Sequence, residues 1–253
     1  MITPYSGNTT SLKFGTPTWA NFFIFIQWQL AGADGIIAPT SACPVFSCKF
    51  MRNILLLMIL FLVSCTSTKL LYERFDYEIS NYDIANVDTL VDIGCGYAYN
   101  DRYISSKFQK LHFILEDLPK DIWGNDLEKA LIEYVKNSTI APAFGTNSKI
   151  VIGTTDSIPL QSGQYERVLC RITLHEFSNR EKMISELIRI LSPTGTLIIV
   201  EKISSYEGEL DKSCKQRYLT KENVIKAFSN LKLVDTIPLH PLSKKGFLFK
   251  FTK

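Results

Sequence analysis

Residues 89–100 read "TLVDIGCGYAYN", and this stretch decides the fold. An apolar run ends in Gly94-Cys95-Gly96. Without Cβ atoms, the two glycines can turn sharply and bring backbone N–H groups close to a ligand. The run 89–93 reads as a buried strand, and 101–108 as the helix that follows it. A second apolar segment, 111–115, ends in Glu116 and Asp117 within "FILEDLP". Asp117 lies 117 − 94 = 23 positions after Gly94, close to the roughly 20 expected of a carboxylate that holds a ribose diol. The third glycine of a nicotinamide-dinucleotide fingerprint would fall at position 99, which is Tyr99. That cofactor is disfavoured.

Outward from this corner, strands and helices alternate. The segment 70–84 has a weak helical face, and Leu127, Ala130, Leu131, Tyr134 and Val135 recur at helical spacing. Strands are expected at 149–152, 167–172 and 196–200. Ser178-Asn179-Arg180-Glu181 reads as a capping box opened by Ser178. It starts a helix with Met183, Ile184, Leu187, Ile188 and Leu191 on one face, stopped by Pro193-Thr194-Gly195. Thr220 caps a further helix, and strands at 231–237 and 247–251 follow directly on one another. The pattern predicts an α/β, three-layer α/β/α Rossmann-like sheet, mostly parallel, of seven strands with an antiparallel C-terminal edge strand.

Composition is globular: 253 residues, 46% hydrophobic, with a formal net charge of +3. No run of like charges points to nucleic acid. The six cysteines form no C-x-x-C pair, and His112, His175 and His240 lie far apart. Neither a disulfide framework nor a metal site is expected.

The N-terminal quarter is of another kind. Residues 51–65, "MRNILLLMILFLVSC", join a short positive start to an apolar run too short to span a bilayer. Leu62-Val63-Ser64-Cys65 resembles the bacterial lipobox, whose cysteine is lipidated. That implies a signal segment at 51–65, a membrane-anchored lipoprotein attached through Cys65, and a domain over 66–253. Residues 1–50 are expected to be a poorly ordered extension; a small packed subdomain is the alternative.

From Asp88 onward the chain resembles the class I S-adenosylmethionine-dependent methyltransferases. "VDIGCGYA", "EDLP", "GTTDSIPL", "RVLCRITLHEF" and "LSPTGTLIIVEK" are similar to successive elements of that family, in its order. The resemblance implies S-adenosylmethionine as cofactor, contacted by Asp92, Gly94, Cys95, Gly96, Glu116, Asp117, Thr155, Asp156 and Arg171. Thr154 and Asp156 both qualify as the polar residue facing adenine. "His175-Glu176-Phe177" is similar to a His-Asp-Trp motif whose histidine is the base, so His175 and Glu176 are the candidate catalytic residues. Glu176 is a candidate to orient His175, and Glu201 a candidate to line the pocket. The acceptor is expected to be a small molecule. One conflict remains: the cofactor is made in the cytosol, whereas the lipobox sends the domain out. An enzyme in the cytoplasm and an exported lipoprotein keeping the fold as a non-catalytic module both stand as readings.

Overall fold

A computed structural model describes residues 72–121, 123–137, 142–240 and 245–253. The expectations for 1–50, for the signal segment and for Cys65 lie outside them. Among the described residues, no helix is long and apolar enough to cross a membrane.

Seven strands form one sheet: β1 (Thr89–Ile93), β2 (His112–Asp117), β3 (Ser148–Ile152), β4 (Tyr165–Arg171), β5 (Leu191–Lys202), β6 (Lys232–Pro238) and β7 (Gly246–Thr252). Their spatial order is β3-β2-β1-β4-β5-β7-β6. The first five are mutually parallel, and β7 runs antiparallel between β5 and β6. Period-two alternation divides each strand between two cores. Leu90, Phe113, Leu115, Leu169 and Ile198 face α1 (72–80), α2 (Tyr99–Lys107), α3 (Leu127–Lys136) and α4 (Pro142–Asn147). Val91, Ile93, Val168, Cys170 and Ile199 face α5 (Arg180–Ile190) and α6 (Lys221–Ala227). Covering both faces allows the parallel strands to be apolar throughout.

Two local expectations need adjustment. The cap of α5 is Asn179, not Ser178: its side chain accepts from Lys182 N–H at 3.4 Å. Asparagine and serine cap about equally well, so adjacent candidates are separated only by the approach of the chain. Strand β5 also begins earlier than expected. Leu191 pairs with Tyr165, and the register then jumps so that Arg167 faces Thr196. The Pro193-Thr194-Gly195 segment is absorbed as this irregularity.

The α1 face carries a buried ion pair. Arg171, at the end of β4, donates from Nε to Glu78 Oε1 at 2.7 Å and from Nη2 to Oε2 at 3.1 Å. Tyr82 donates its hydroxyl to the same carboxylate. The fork fastens α1 to the centre of the sheet. Removing one charge leaves the other uncompensated, which costs about 3–5 kcal/mol for a buried pair. Glu78→Gln is expected to lower stability by about 3 kcal/mol, read from the urea midpoint, and Glu78→Leu/Arg171→Met together to recover most of it.

Candidate functional site

The strand order reverses between β1 and β4, and parallel α/β sheets open a crevice at the carboxyl ends of such strands. A cavity of about 300 Å³ lies there, lined by Gly94, Gly96, Glu116, Asp117, Thr154, Thr155, Thr173, Glu176 and Phe177, with Leu118, Trp123 and Met183 adding apolar wall. A larger cavity, about 660 Å³, lies on the α1–α2 side. Arg171 lines that one, turned from the glycine corner toward Glu78.

The corner is built by close approach. Gly94 has φ +72° and Gly96 φ +56°. A Cβ on Gly94 would stand 2.2 Å from Thr173 Cγ2, whereas one on Gly96 would meet nothing within 4 Å. Thr173 also donates its hydroxyl to Gly94 O at 3.0 Å, tying β4's exit to β1's. The N–H groups expected to reach a ligand are partly spent: Gly94 N and Cys95 N donate to Glu116 O at 2.9 and 3.1 Å. Gly96 N donates to Asp117 Oδ2 at 2.6 Å, and Leu118 N to Oδ1 at 2.7 Å. An ionised carboxylate has about four acceptor positions. Asp117 therefore keeps about two for a ligand's hydroxyl groups.

The site is rich in buried acids. Glu116 is 3% exposed, and its carboxyl sits where a Cβ on residue 153 would be, so Gly153 makes its space. Burial, then the charge of Asp117, push Glu116 up to about 8. Burial also raises Asp117. Behind the corner Asp92 and Asp101 are both buried. Asp92 Oδ1 and both Asp101 carboxyl oxygens have no hydrogen-bond partner among the described residues. Burial, then the charge of Asp101, hold Asp92 well above the carboxylate range, and burial pushes Asp101 up to about 6. Such a wall favours a cation.

The sequence candidates divide by position. Gly94, Gly96, Glu116, Asp117, Thr155 and Glu176 line the cavity. Asp92 lies beneath it, and Cys95 packs toward the α1–α4 core. Of the two adenine candidates, Thr154 lines the cavity, while exposed Asp156 donates its N–H to Thr154 Oγ1. His175 is 1% exposed and stands behind Glu176, its Nε2 3.9 Å from Glu176 Oε1. The group that orients it is Glu201, fully buried at the end of β5: Oε1 lies 2.9 Å from His175 Nδ1, and Oε2 accepts from His175 N–H at 3.2 Å. Burial pulls His175 down, but the Glu201 bond and charge outweigh it and leave it raised. Trp123 and Met183 were missed as lining residues, because the loop after β2 brings one to the rim and the first turn of α5 the other, away from the motifs in sequence.

Residues 91–199 match the family model described as "Methyltransferase domain". A tocopherol O-methyltransferase from Arabidopsis thaliana is 23% identical over 145 residues, 53% of this chain and 39% of that protein. The chain thus spans about two fifths of that relative's length. Among solved structures, an S-adenosylmethionine-dependent methyltransferase from Aquifex aeolicus aligns with TM-score 0.54 at 16% identity, covering 70% of this chain and 88% of that one. The [4+2]-cyclase SpnF aligns with TM-score 0.53 at 13% identity, covering 65% and 59%. The Rossmann-like α/β fold of this chain is shared with these solved structures.

Two outcomes follow from the geometry. Gly94→Ala is expected to destabilise by at least about 2 kcal/mol, from positive φ and the Thr173 clash together, and Gly96→Ala by about 1–2 kcal/mol, from φ alone; thermal melts compare them. Glu116 binds its proton more tightly folded than unfolded. Its stabilisation is full below about 4.5 and is lost as pH rises toward about 8. Ligand-free protein should lose on the order of 4 kcal/mol across that window, and Glu116→Gln should flatten the slope.

Proposed function

We propose that the protein is an S-adenosylmethionine-dependent methyltransferase acting on a small-molecule acceptor. The observation that carries this reading is the juxtaposition of the bare Gly94–Gly96 corner with the Asp117 carboxylate on the rim of one cavity at the switch point. The fold alone would not suffice, since folds host unrelated chemistries.

The residues present fit the cofactor. It is cationic at its sulfonium and amino groups, and the wall offers the Asp117 carboxylate, with Glu116 and, beneath the corner, Asp92 as acids that a bound cation would help to ionise. Asp117 would hold the ribose hydroxyls, Thr154 or Thr155 the base, and the corner with Asp92 the aminoacyl end. When bound, the cofactor supplies a methyl group already activated as an electrophile. The chain's own part is to align the acceptor, exclude water and take up a proton where the acceptor carries one. Glu176 is the cavity-lining carboxyl on the β4 side. His175, its Nδ1 on Glu201, stands behind Glu176 with Nε2 3.9 Å from Glu176 Oε1, too far for a direct hydrogen bond, so Glu176 itself is the proton acceptor in this reading.

The lipobox-like segment supports a second statement about place: the domain is carried on a membrane-anchored lipoprotein through Cys65. Metabolic labelling with a palmitate analogue, lost in Cys65→Ala, supports it; no label in the unaltered chain refutes it.

Titration calorimetry with S-adenosylmethionine tests the main reading. One saturable site is expected, weakened about 10–100-fold by Asp117→Asn through loss of charge-assisted hydrogen bonds. Absence of heat at millimolar cofactor, with folding verified by circular dichroism, would overturn it.

A further inference from the structure

Behind the cavity wall lies a group of ligand-type side chains that methyl transfer, as described, uses only in part. His175 and Glu176 follow β4, and Cys214 comes from the connection between β5 and α6. One ligand atom from each lies within 4.8 Å of the other two: an imidazole nitrogen, a carboxylate oxygen and a sulfur. The imidazole is held as a metal-bound imidazole is held. Its Nδ1 sits on Glu201 Oε1, and that carboxylate also accepts from the backbone N–H groups of His175 and Lys202. A carboxylate so surrounded by donors fixes the ring proton on Nδ1 and leaves the Nε2 lone pair for a cation.

The sulfur is also presented by a built turn. Asp211 accepts from the backbone N–H of Ser213 at 2.6 Å and of Cys214 at 3.3 Å, and from the hydroxyls of Ser213 and Tyr218. The Tyr218 ring lies 5.6 Å from the His175 ring and closes that side.

We propose that His175 Nε2, Cys214 Sγ and a Glu176 carboxylate oxygen bind a zinc-class divalent ion, with Glu201 orienting the imidazole. A nitrogen, sulfur and oxygen set suits such a borderline ion. Three protein ligands leave a fourth tetrahedral position for water or substrate. Glu176 belongs to the cavity wall, so the ion serves there as a Lewis acid for the hydroxyl or thiol of an acceptor. That use rests on the methyltransferase reading; the binding of the ion does not. Sequence spacing argued against a metal because the cysteines form no C-x-x-C pair and the histidines lie far apart, while His175 and Cys214 are themselves separated along the chain. The fold removes that separation.

The test is titration of the chelator-stripped full chain with Co²⁺. The expected result is one equivalent bound, with a thiolate-to-cobalt charge-transfer band and the intense visible bands of a tetrahedral ion, displaced by Zn²⁺. Cys214→Ser should abolish the charge-transfer band at unchanged circular dichroism. Glu201→Gln should keep the band at saturation while weakening affinity about 10–100-fold. If Cys214→Ser does not fold, Glu176→Gln, at a side chain 32% exposed, serves instead: the band persists and affinity falls. No band with folded protein at equimolar Co²⁺, or a band unchanged in a folded Cys214→Ser, overturns the proposal, as does unchanged affinity in Glu176→Gln where that variant decides. Cobalt binding without calorimetric heat from S-adenosylmethionine keeps the metal site and removes the methyltransferase reading; the reverse result removes the metal site alone.

Discussion

The contact between Gly94 and Thr173 sets the distance between the two strand exits that frame the cavity. There is no room for a side chain at Gly94. Thr173 fills the space and returns a hydrogen bond to the Gly94 carbonyl. Because β1 also pairs with β2 in continuous register up to Ile93↔Glu116, the same corner fixes where Glu116 and Asp117 emerge. A bulkier residue at 94 would push the exits of β1 and β4 apart and move every polar group of the wall with them.

Acidity is the second organising feature. Asp92, Asp101, Glu116, Asp117, Glu176 and Glu201 gather around the ends of four neighbouring strands, β2, β1, β4 and β5. Taking such groups out of water costs free energy unless they are protonated, hydrogen-bonded or paired with a cation. Glu116 retains its proton, Asp117 leans on two backbone donors, and Glu201 accepts from an imidazole and two backbone N–H groups. A cationic ligand would be favoured beside such a wall.

What the sequence made legible was local. The strand, the glycine turn and the acids closing β2 lie within a short span, and hydrophobic period alone separates strand from helix there. Arg171, expected among the cofactor contacts, shares a face in β4 with Leu169, the face that meets α1, and pairs there with Glu78. The surroundings of His175 could not be read in this way. Its partners Glu201, Cys214 and Tyr218 arrive from a different strand and a long connection, and no spacing rule links them. Glu176, adjacent in sequence, looked like the orienting carboxylate, but the β4–β5 pairing puts Glu201 on the ring nitrogen instead.

The placement of β7 bears on how the sheet is assembled. It is the last strand along the chain, yet it pairs with β5 on one side and β6 on the other. During synthesis β5 presents a bare hydrogen-bonding edge until β7 emerges, and β6 has no partner of its own. The two must arrive together as a hairpin and dock against β5. Contacts of such long sequence separation form slowly, so the nascent chain passes through an interval in which an apolar strand is open to pairing with other chains.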